Sequence, residues 1–158
     1  NTPEHILEVM FQLADDLEQY GYVLRTGGAL GADTAFFDGV QNKANVELYL
    51  PWQGYNGYST QDFHLPVEAY NLASDYHPNW NHCKNAVKKM HARNNQILFG
   101  DDLISPVDFV ICYTESGFIT GGTGQAIRVA MGHNIPVLNL GSNLDLTISQ
   151  LENIVNGN

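Results

Sequence analysis

The sequence has little positive charge. Its 158 residues include seven Lys and Arg against seventeen Asp and Glu, so the formal net charge is −10. A protein that binds duplex DNA by neutralising a run of phosphates needs the opposite balance. The composition therefore argues against duplex DNA as a partner, but it leaves room for a small anionic ligand held by local cations.

Long apolar runs and the pattern of a secretory leader are also missing. No stretch approaches the roughly 20 apolar residues of a membrane helix, and no basic start followed by an apolar core indicates a signal peptide. The two cysteines, Cys83 and Cys112, share no metal or redox spacing, and both fall at apolar positions. We expect a cytoplasmic protein with buried free thiols and no membrane partner.

Metal-ligand patterns are scarce as well. His64, His77, His82 and His91 lie in the same region as Cys83, but no pair has the His-x3-His spacing that would place two ligands on one helix face. The sequence therefore predicts no metal site and no cofactor.

Strand-like and helix-like segments alternate along the chain, without tight hairpin signals. This order predicts an α/β fold in a single domain over residues 1–158, with a doubly wound, mainly parallel sheet and helices on both faces. Strands are predicted at 22–26, 46–50, 107–112 and 136–140, and helices at 3–20, 32–40, 67–74, 81–98, from the second glycine segment to 131, and 144–155. A doubly wound sheet begins with a strand, but this sequence opens at the helix start Thr2-Pro3. The first strand is therefore expected upstream of Asn1.

A first glycine-rich segment, Arg25–Asp33, joins a predicted strand to a predicted helix. Glycines there allow positive φ and close approach of a ligand to the main chain, and the following helix offers free N–H groups to an anion. The alternative is a packing turn between strand and helix. The candidate ligand-binding residues are Arg25, Gly27, Gly28, Ala29, Gly31 and Asp33.

A second glycine-rich segment, Gly121–Gln125, has the same context, after the strand 107–112 and before a helix. Ligands of open α/β sheets bind outside the carboxyl ends of the strands, where such loops meet. The candidate ligand-binding residues here are Gly121, Gly122, Thr123, Gly124 and Gln125.

Two further segments contribute candidates. The loop that begins Pro51-Trp52 carries three aromatic side chains within 52–58, which either stack on a base or cover the sheet edge. In the helix 81–98, Asn94 lies on a stripe with Val87 and predicted core residues, so it needs hydrogen bonds. Backbone groups can satisfy Asn94, but with Arg93 it can instead contact a ribose or phosphate. We therefore add Pro51, Trp52, Arg93 and Asn94 to the ligand-binding candidates.

Four segments in this order resemble the SLOG superfamily of Rossmann-like proteins, most closely its YspA-like branch, which is related to DNA-processing protein A. They are Leu24–Asp33, Tyr49–Trp52, His91–Asn94 and Gly121–Ala126. The resemblance implies binding of a nucleotide or nucleotide-derived signalling molecule across the carboxyl ends of the strands, and a homodimer or higher homo-oligomer. The family usually begins with a strand and a Gly-x-Gly-Ser-Arg loop followed by x-Thr-Pro. Asn1-Thr2-Pro3 is similar to the end of that motif.

Another branch, the cytokinin-activating phosphoribohydrolases, has Pro-Gly-Gly-x-Gly-Thr-x-x-Glu at its second loop. Here Thr120 replaces the Pro, Gln125 the Thr, and Arg128 the Glu that serves catalysis in that branch. Cleavage of an N-glycosidic bond needs a carboxylate that an arginine does not replace. Asp33 and Glu115 are the candidate substitutes. The alternatives are that Asp33 complements a helix dipole and that Glu115 is an exposed loop residue.

These observations predict a sensor, carrier or sequestering protein for a nucleotide. The first alternative is an N-glycosidase or phosphoribohydrolase that acts on a nucleoside monophosphate or a related nucleotide. The second is single-stranded DNA binding of the kind seen in DNA-processing protein A, which the net charge disfavours. Whether the protein is an enzyme is left open by the sequence.

Overall fold

The computed structural model describes residues 1–157, which form six α-helices and four short β-strands. The helices are α1 (Glu4–Gln19), α2 (Ala32–Gly39), α3 (Val67–Tyr76), α4 (Asn85–Phe99), α5 (Gly121–Gly132) and α6 (Leu144–Asn156). The strands are β1 (Leu24–Thr26), β2 (Val46–Leu48), β3 (Val110–Cys112) and β4 (Val137–Asn139). Within residues 1–157, none of the helices combines the length and the apolar character needed to cross a membrane.

The strands form two parallel pairs. β1 pairs with β2, with Leu24 opposite Val46, and β3 pairs with β4, with Val110 opposite Val137. The α/β class and the parallel pairing are thus confirmed. The described residues do not form the single doubly wound sheet that the sequence predicts, because no strand joins the two pairs.

One hydrophobic core connects the two strand pairs. Buried residues of α1 and α2 pack with Leu24 and Val46 of the first pair and with Ile111 of the second. The buried members of this core are Ile6, Met10, Ala14, Phe36, Val40 and Leu140. The amphipathic face of α1 therefore holds both pairs in one body.

A second core lies on the other side of β3 and β4. Val110 and Val137 pack there against residues of α4 and α5, including Phe99 and Val129. Successive strand residues point to opposite faces, so Val110 faces this core whereas Ile111 faces the first. Helices consequently cover both faces of the β3–β4 pair.

Helix α4 differs most from its sequence pattern. It begins at Asn85, after a 3₁₀ turn at Trp80–His82, and not at 81. The predicted core stripe is wrong, since Val87 is exposed and Asn94 is only half-buried. Its buried face instead includes His91, Ala92, Arg93, Asn95, Gln96, Leu98 and Phe99. The helix packs against α3, α5 and β1, and this covers polar positions that a single-stripe pattern leaves in solvent.

Glu18 connects the end of α1 to the segment after α2. Its carboxylate accepts hydrogen bonds from the main-chain N–H groups of Gln41 (2.7 Å) and Asn42 (3.0 Å) and from Asn45 Nδ2 (2.8 Å). These bonds, with the Asn45 amide first, lower the pKa of Glu18. A lowered pKa means that the stabilisation is complete above the pKa of unfolded glutamate and is lost as the pH falls through the folded value.

We therefore expect Glu18→Gln to lower the melting temperature at about pH 7, and to lower it less at about pH 3, where protonation begins to remove the carboxylate that accepts these hydrogen bonds in the wild type. Thermal unfolding followed by circular dichroism at both pH values measures this. Glu8→Gln, at an exposed position of the same helix, is the control. A Glu18→Gln deficit that is equal at both pH values would contradict the assignment.

Candidate functional site

The first glycine turn lies between β1 and α2 and is largely buried. Gly28 has φ +72° and Gly31 has φ +92°, so the predicted need for positive φ is confirmed at both positions. Gly27 and Gly28 are buried. Their main chain is therefore covered by other parts of the protein.

Neighbouring side chains explain the two buried glycines. A Cβ atom on Gly27 would lie 2.7 Å from Arg93 Nη1, and one on Gly28 would lie 3.1 Å from the Tyr58 ring. Asn56 Nδ2 donates a hydrogen bond to the Gly28 carbonyl at 3.0 Å. Glycine is thus required here for packing within the protein, which is the alternative that the sequence left open.

Arg93 is buried and bonded to the main chain. Its Nη1 donates to the carbonyls of Gly27 and Tyr49, and its Nε donates to Asn94 Oδ1 at 3.0 Å. Its guanidinium lies over the Tyr55 ring, 5.5 Å from the centroid. Burial lowers the pKa of Arg93, while Asp33 opposes that shift. Arg93 joins the glycine turn to the end of β2, and Asn94 orients its guanidinium.

Asp33 occupies the amino end of α2. Its Oδ2 accepts a hydrogen bond from the Ala29 N–H at 3.0 Å, and Thr34 Oγ1 donates to the Ala29 carbonyl at 3.1 Å. The carboxylate therefore uses an N–H group that a phosphate would need and places negative charge beside it. This geometry favours a structural role for Asp33 and makes the first turn a poor phosphate site.

The aromatic loop covers the first glycine turn. Pro51 is buried, the Trp52 and Tyr55 rings meet edge to face at 5.2 Å, and Tyr58 contacts Phe37 at 5.5 Å. Trp52 and Tyr55 remain half-buried. They leave part of their surface for a stacking partner.

Arg25 contacts a different region. Its Nε donates to Glu47 Oε1 at 3.2 Å, and its Nη1 donates to the Ser105 carbonyl at 2.5 Å. Its guanidinium lies beside Gly100, in the connection between α4 and β3. Although it precedes the glycine turn in sequence, its hydrogen bonds fasten β1 to that connection.

The second glycine segment is the first turn of α5 and not the loop that the sequence predicts. Gly121, Gly122 and Thr123 are exposed, and within residues 1–157 their main-chain N–H groups have no hydrogen-bond partner. A Cβ atom on either glycine would meet no atom within 4 Å, and the Thr120 side chain makes no capping bond. This turn is open to a ligand.

The end of the second segment is buried and structural. A Cβ atom on Gly124 would lie 2.8 Å from the Ile119 carbonyl carbon. Gln125 is 1% exposed, and its Nε2 donates to the Ala73 carbonyl at 3.1 Å. Its Oε1 accepts from Arg128 Nη2 at 2.8 Å. Neither Gln125 nor Arg128 is therefore directed toward the open turn.

A polar clamp holds the carboxyl ends of β3 and β4 together. Asn139 Oδ1 accepts from the N–H groups of Thr114 (3.1 Å) and Gly141 (3.0 Å), and its Nδ2 donates to Thr114 Oγ1 at 2.7 Å. Glu115 follows directly and is exposed at the start of a 3₁₀ turn. Asn139 was not among the predicted residues, because its only signal in the sequence is a polar residue at the end of an apolar strand.

The structure thus brings together the first glycine turn, the aromatic loop and the Arg93–Asn94 pair, as the sequence predicts. The glycine turn, the aromatic loop and Arg93 pack against one another and are largely covered. The first turn of α5, in contrast, stays exposed to solvent. The structure also gathers His77, Cys83 and His91, three of the residues that the sequence analysis weighed as metal ligands and whose spacing predicts no metal site, although they lie on three separate elements.

Comparisons with protein-family models, with curated proteins and with solved structures give no significant match. The SLOG resemblance stays a prediction carried by the four segments alone.

Proposed function

We propose that the protein binds a nucleotide or a nucleotide-derived signalling molecule, whose phosphate lies against the first turn of α5. The observation that supports this most is the set of three exposed, unpaired N–H groups at Gly121–Thr123. Together with the positive end of the helix dipole, such groups favour an anion. Because Arg25, Arg93 and Arg128 make hydrogen bonds elsewhere, recognition at this turn rests on main-chain N–H groups.

The two glycine turns belong to one edge of the molecule in this proposal. The Tyr22 and Phe109 rings, just before β1 and β3, meet at 5.3 Å, and both strand pairs share the α1 core. In this proposal the carboxyl ends of β1 and β3 open toward the same side. The half-buried Trp52 and Tyr55 offer a base-stacking surface there.

We further propose that an additional parallel strand lies between β1 and β3. In parallel ladders alternate residues bond to alternate sides, so the main-chain groups of Arg25 and Ile111 point away from β2 and β4. Neither residue has a backbone hydrogen bond on that side within residues 1–157. An added strand would join the two pairs into one doubly wound sheet, and the family resemblance implies such a strand before α1.

The decisive variant is Gly122→Val, which we expect to weaken nucleotide binding about tenfold or more. The valine side chain would occupy the open space beside the N–H groups and exclude a phosphate, with loss of charge-assisted hydrogen bonds. The fold should tolerate it, because no atom lies within 4 Å of the added Cβ. Calorimetric titration with a panel of nucleoside monophosphates, NAD and cyclic nucleotides measures the change.

Ser149→Val is the matched control, since it places the same side chain at an exposed position of α6. It should leave both affinity and melting temperature unchanged. If the wild type binds nothing in the panel, or Gly122→Val binds as the wild type does, the proposed site is wrong.

We also expect the protein to bind without hydrolysis. Asp33 is bonded to Ala29 N–H at the start of α2, and Arg128 stands where the hydrolase branch has its glutamate. Without a placed acid or base, the site cannot bind the transition state more tightly than the nucleotide. Chromatography of the same panel after incubation should show no free base. Multiple-turnover release that disappears in Asp33→Asn or Glu115→Gln would establish the enzyme alternative.

A further inference from the structure

His77, Cys83 and His91 form a cluster outside the proposed nucleotide site. His77 follows α3, Cys83 follows the 3₁₀ turn Trp80–His82, and His91 lies on α4. One potential ligand atom from each residue lies within 4.8 Å of the other two. Cys83 Sγ is 3.7 Å from His77 Nε2 and 3.9 Å from its Nδ1.

His91 provides an independent observation. It is only 6% exposed, and its Nδ1 is a buried atom without a hydrogen-bond partner among the described residues. A buried polar atom without a partner is unfavourable, so its position needs a reason. The imidazole nitrogens of histidine are common metal ligands.

We propose that His77, Cys83 and His91 bind a zinc ion. One thiolate and two imidazoles are ligands that Zn²⁺ prefers, whereas Ca²⁺ and Mg²⁺ take oxygen ligands. With Zn–N near 2.0–2.1 Å and Zn–S near 2.3 Å, nitrogen and sulfur ligands of tetrahedral zinc lie about 3.5 Å apart. The two His77–Cys83 distances already approach this value, whereas the His91 ligand atom, which lies within 4.8 Å of the other two, has to move closer to complete the site.

Binding requires a proton to leave and two hydrogen bonds to Asn79 to be replaced, one made by His77 and one by Cys83. His77 Nδ1 accepts the Asn79 N–H at 3.0 Å, so Nε2 carries the proton of the neutral ring. Zinc binding through His77 Nδ1 therefore leaves the ring proton on Nε2. The exposed Asn79 N–H then donates its hydrogen bond to water instead of to His77. The Cys83 S–H bond breaks, the proton goes to solvent and the Zn–S bond forms, without any change of oxidation state.

The cluster supplies three ligands and leaves the fourth position open. Within residues 1–157 no fourth His, Cys, Asp or Glu joins the group. The thiolate offsets one charge of the ion, while Arg93 and Arg128 add positive potential at His91. The fourth ligand is therefore water or an anionic oxygen, as in sites that exchange a ligand.

Titration of the reduced, chelator-treated full chain with Co²⁺ tests the site. We expect one ion per chain, with visible bands of tetrahedral cobalt and a thiolate-to-cobalt band in the near ultraviolet, all of which Zn²⁺ abolishes. Cys83→Ser should remove the thiolate band, and His91→Gln should weaken metal affinity at least about tenfold. His82→Gln, on the neighbouring 3₁₀ turn, and Cys112→Ala should behave as the wild type. Absence of the thiolate band, or its persistence in Cys83→Ser, would overturn the proposal.

Alkylation of the unmodified chain keeps the test independent of variant folding. Cys83 is half-exposed, so iodoacetamide should modify it in the metal-free protein, and stoichiometric Zn²⁺ should slow the reaction at least about tenfold. Cys112 is the internal control, because burial raises its pKa to about 12 and keeps it unreactive in both states. Equal modification of Cys83 with and without Zn²⁺ would refute zinc ligation by Cys83. Neither assay involves a nucleotide, so its outcome is separate from that of the proposed function.

Discussion

Arg93→Ala is expected to lower the free energy of unfolding by about 3 kcal/mol or more. The substitution removes the donors to the Gly27 and Tyr49 carbonyls and the cation over the Tyr55 ring. A buried acceptor left without a partner costs about 1–3 kcal/mol, and the guanidinium also fills space that alanine leaves empty. Since domains are stable by only about 5–15 kcal/mol, this is a large fraction of the total.

Urea unfolding measures the effect, with Lys89→Ala as the control. Lys89 lies on the same helix and is exposed, so Lys89→Ala removes one positive charge, as Arg93→Ala does, with little change in the free energy of unfolding. Arg93→Lys should retain part of the stability, because it keeps the charge but loses the planar fork of donors. If Arg93→Ala is as stable as Lys89→Ala, the hydrogen bonds to the glycine turn do not hold the fold together. If Arg93→Ala is destabilised as expected, any loss of nucleotide affinity in this variant has to be compared with the wild type at equal folded fraction.

Gly141→Ala is expected to be strongly destabilising, because among the glycines of residues 1–157 an added Cβ would make its closest contact here. Its Cβ would overlap the Thr114 carbonyl oxygen, and a main-chain atom held in the Asn139 clamp cannot move aside. The main chain has to shift, which breaks the hydrogen bond from Gly141 N–H to Asn139 Oδ1. We expect a loss of about 3 kcal/mol or more in the free energy of unfolding.

The matched control is Gly122→Ala, the same substitution at a glycine with open space around it. It should be neutral or slightly stabilising, because alanine is favoured over glycine in a helix. The change in the free energy of unfolding relative to the wild type, measured in urea, should therefore differ between the two variants in sign or by several-fold in magnitude. A Gly141→Ala protein that is as stable as Gly122→Ala would show that the ends of β3 and β4 are not packed as described.

Several features of the candidate site are predictable from the sequence because they depend on short stretches of chain. Gly28 and Gly31 have the positive φ that a strand-to-helix turn requires. The loop after Leu50 and the pair Arg93-Asn94 do meet the first turn, as their positions in an alternating α/β chain suggest. The same local pattern, however, gave a wrong prediction for the second glycine segment. Three closely spaced glycines are typical of a loop, but here they form the start of α5.

The roles of the charged residues were not predictable in the same way. Arg25 adjoins the glycine turn in sequence, but its side chain reaches Ser105, 80 positions away. Arg93 is 66 positions from its acceptor at Gly27. A guanidinium reaches several ångströms from its own main chain, so its partners depend on which distant segments pack beside it. Asp33 is the exception, since its bond to Ala29 spans only four residues. Its position in the first turn of a helix was already predictable from the favourable interaction of a carboxylate with the helix dipole.

The α/β alternation and the glycine turn after β1 follow from backbone preferences over a few residues, and the acidic balance follows from composition, so all three are evident before any packing is known. Which glycine segment stays open depends on tertiary packing, because the aromatic loop and Arg93 close the first turn while no described residue covers Gly121 and Gly122. Tertiary packing also decides that His77, Cys83 and His91 meet. Their spacing matches no ligand pattern on one element, and only the packing of α4 against the chain that follows α3 brings the three side chains within reach of one ion.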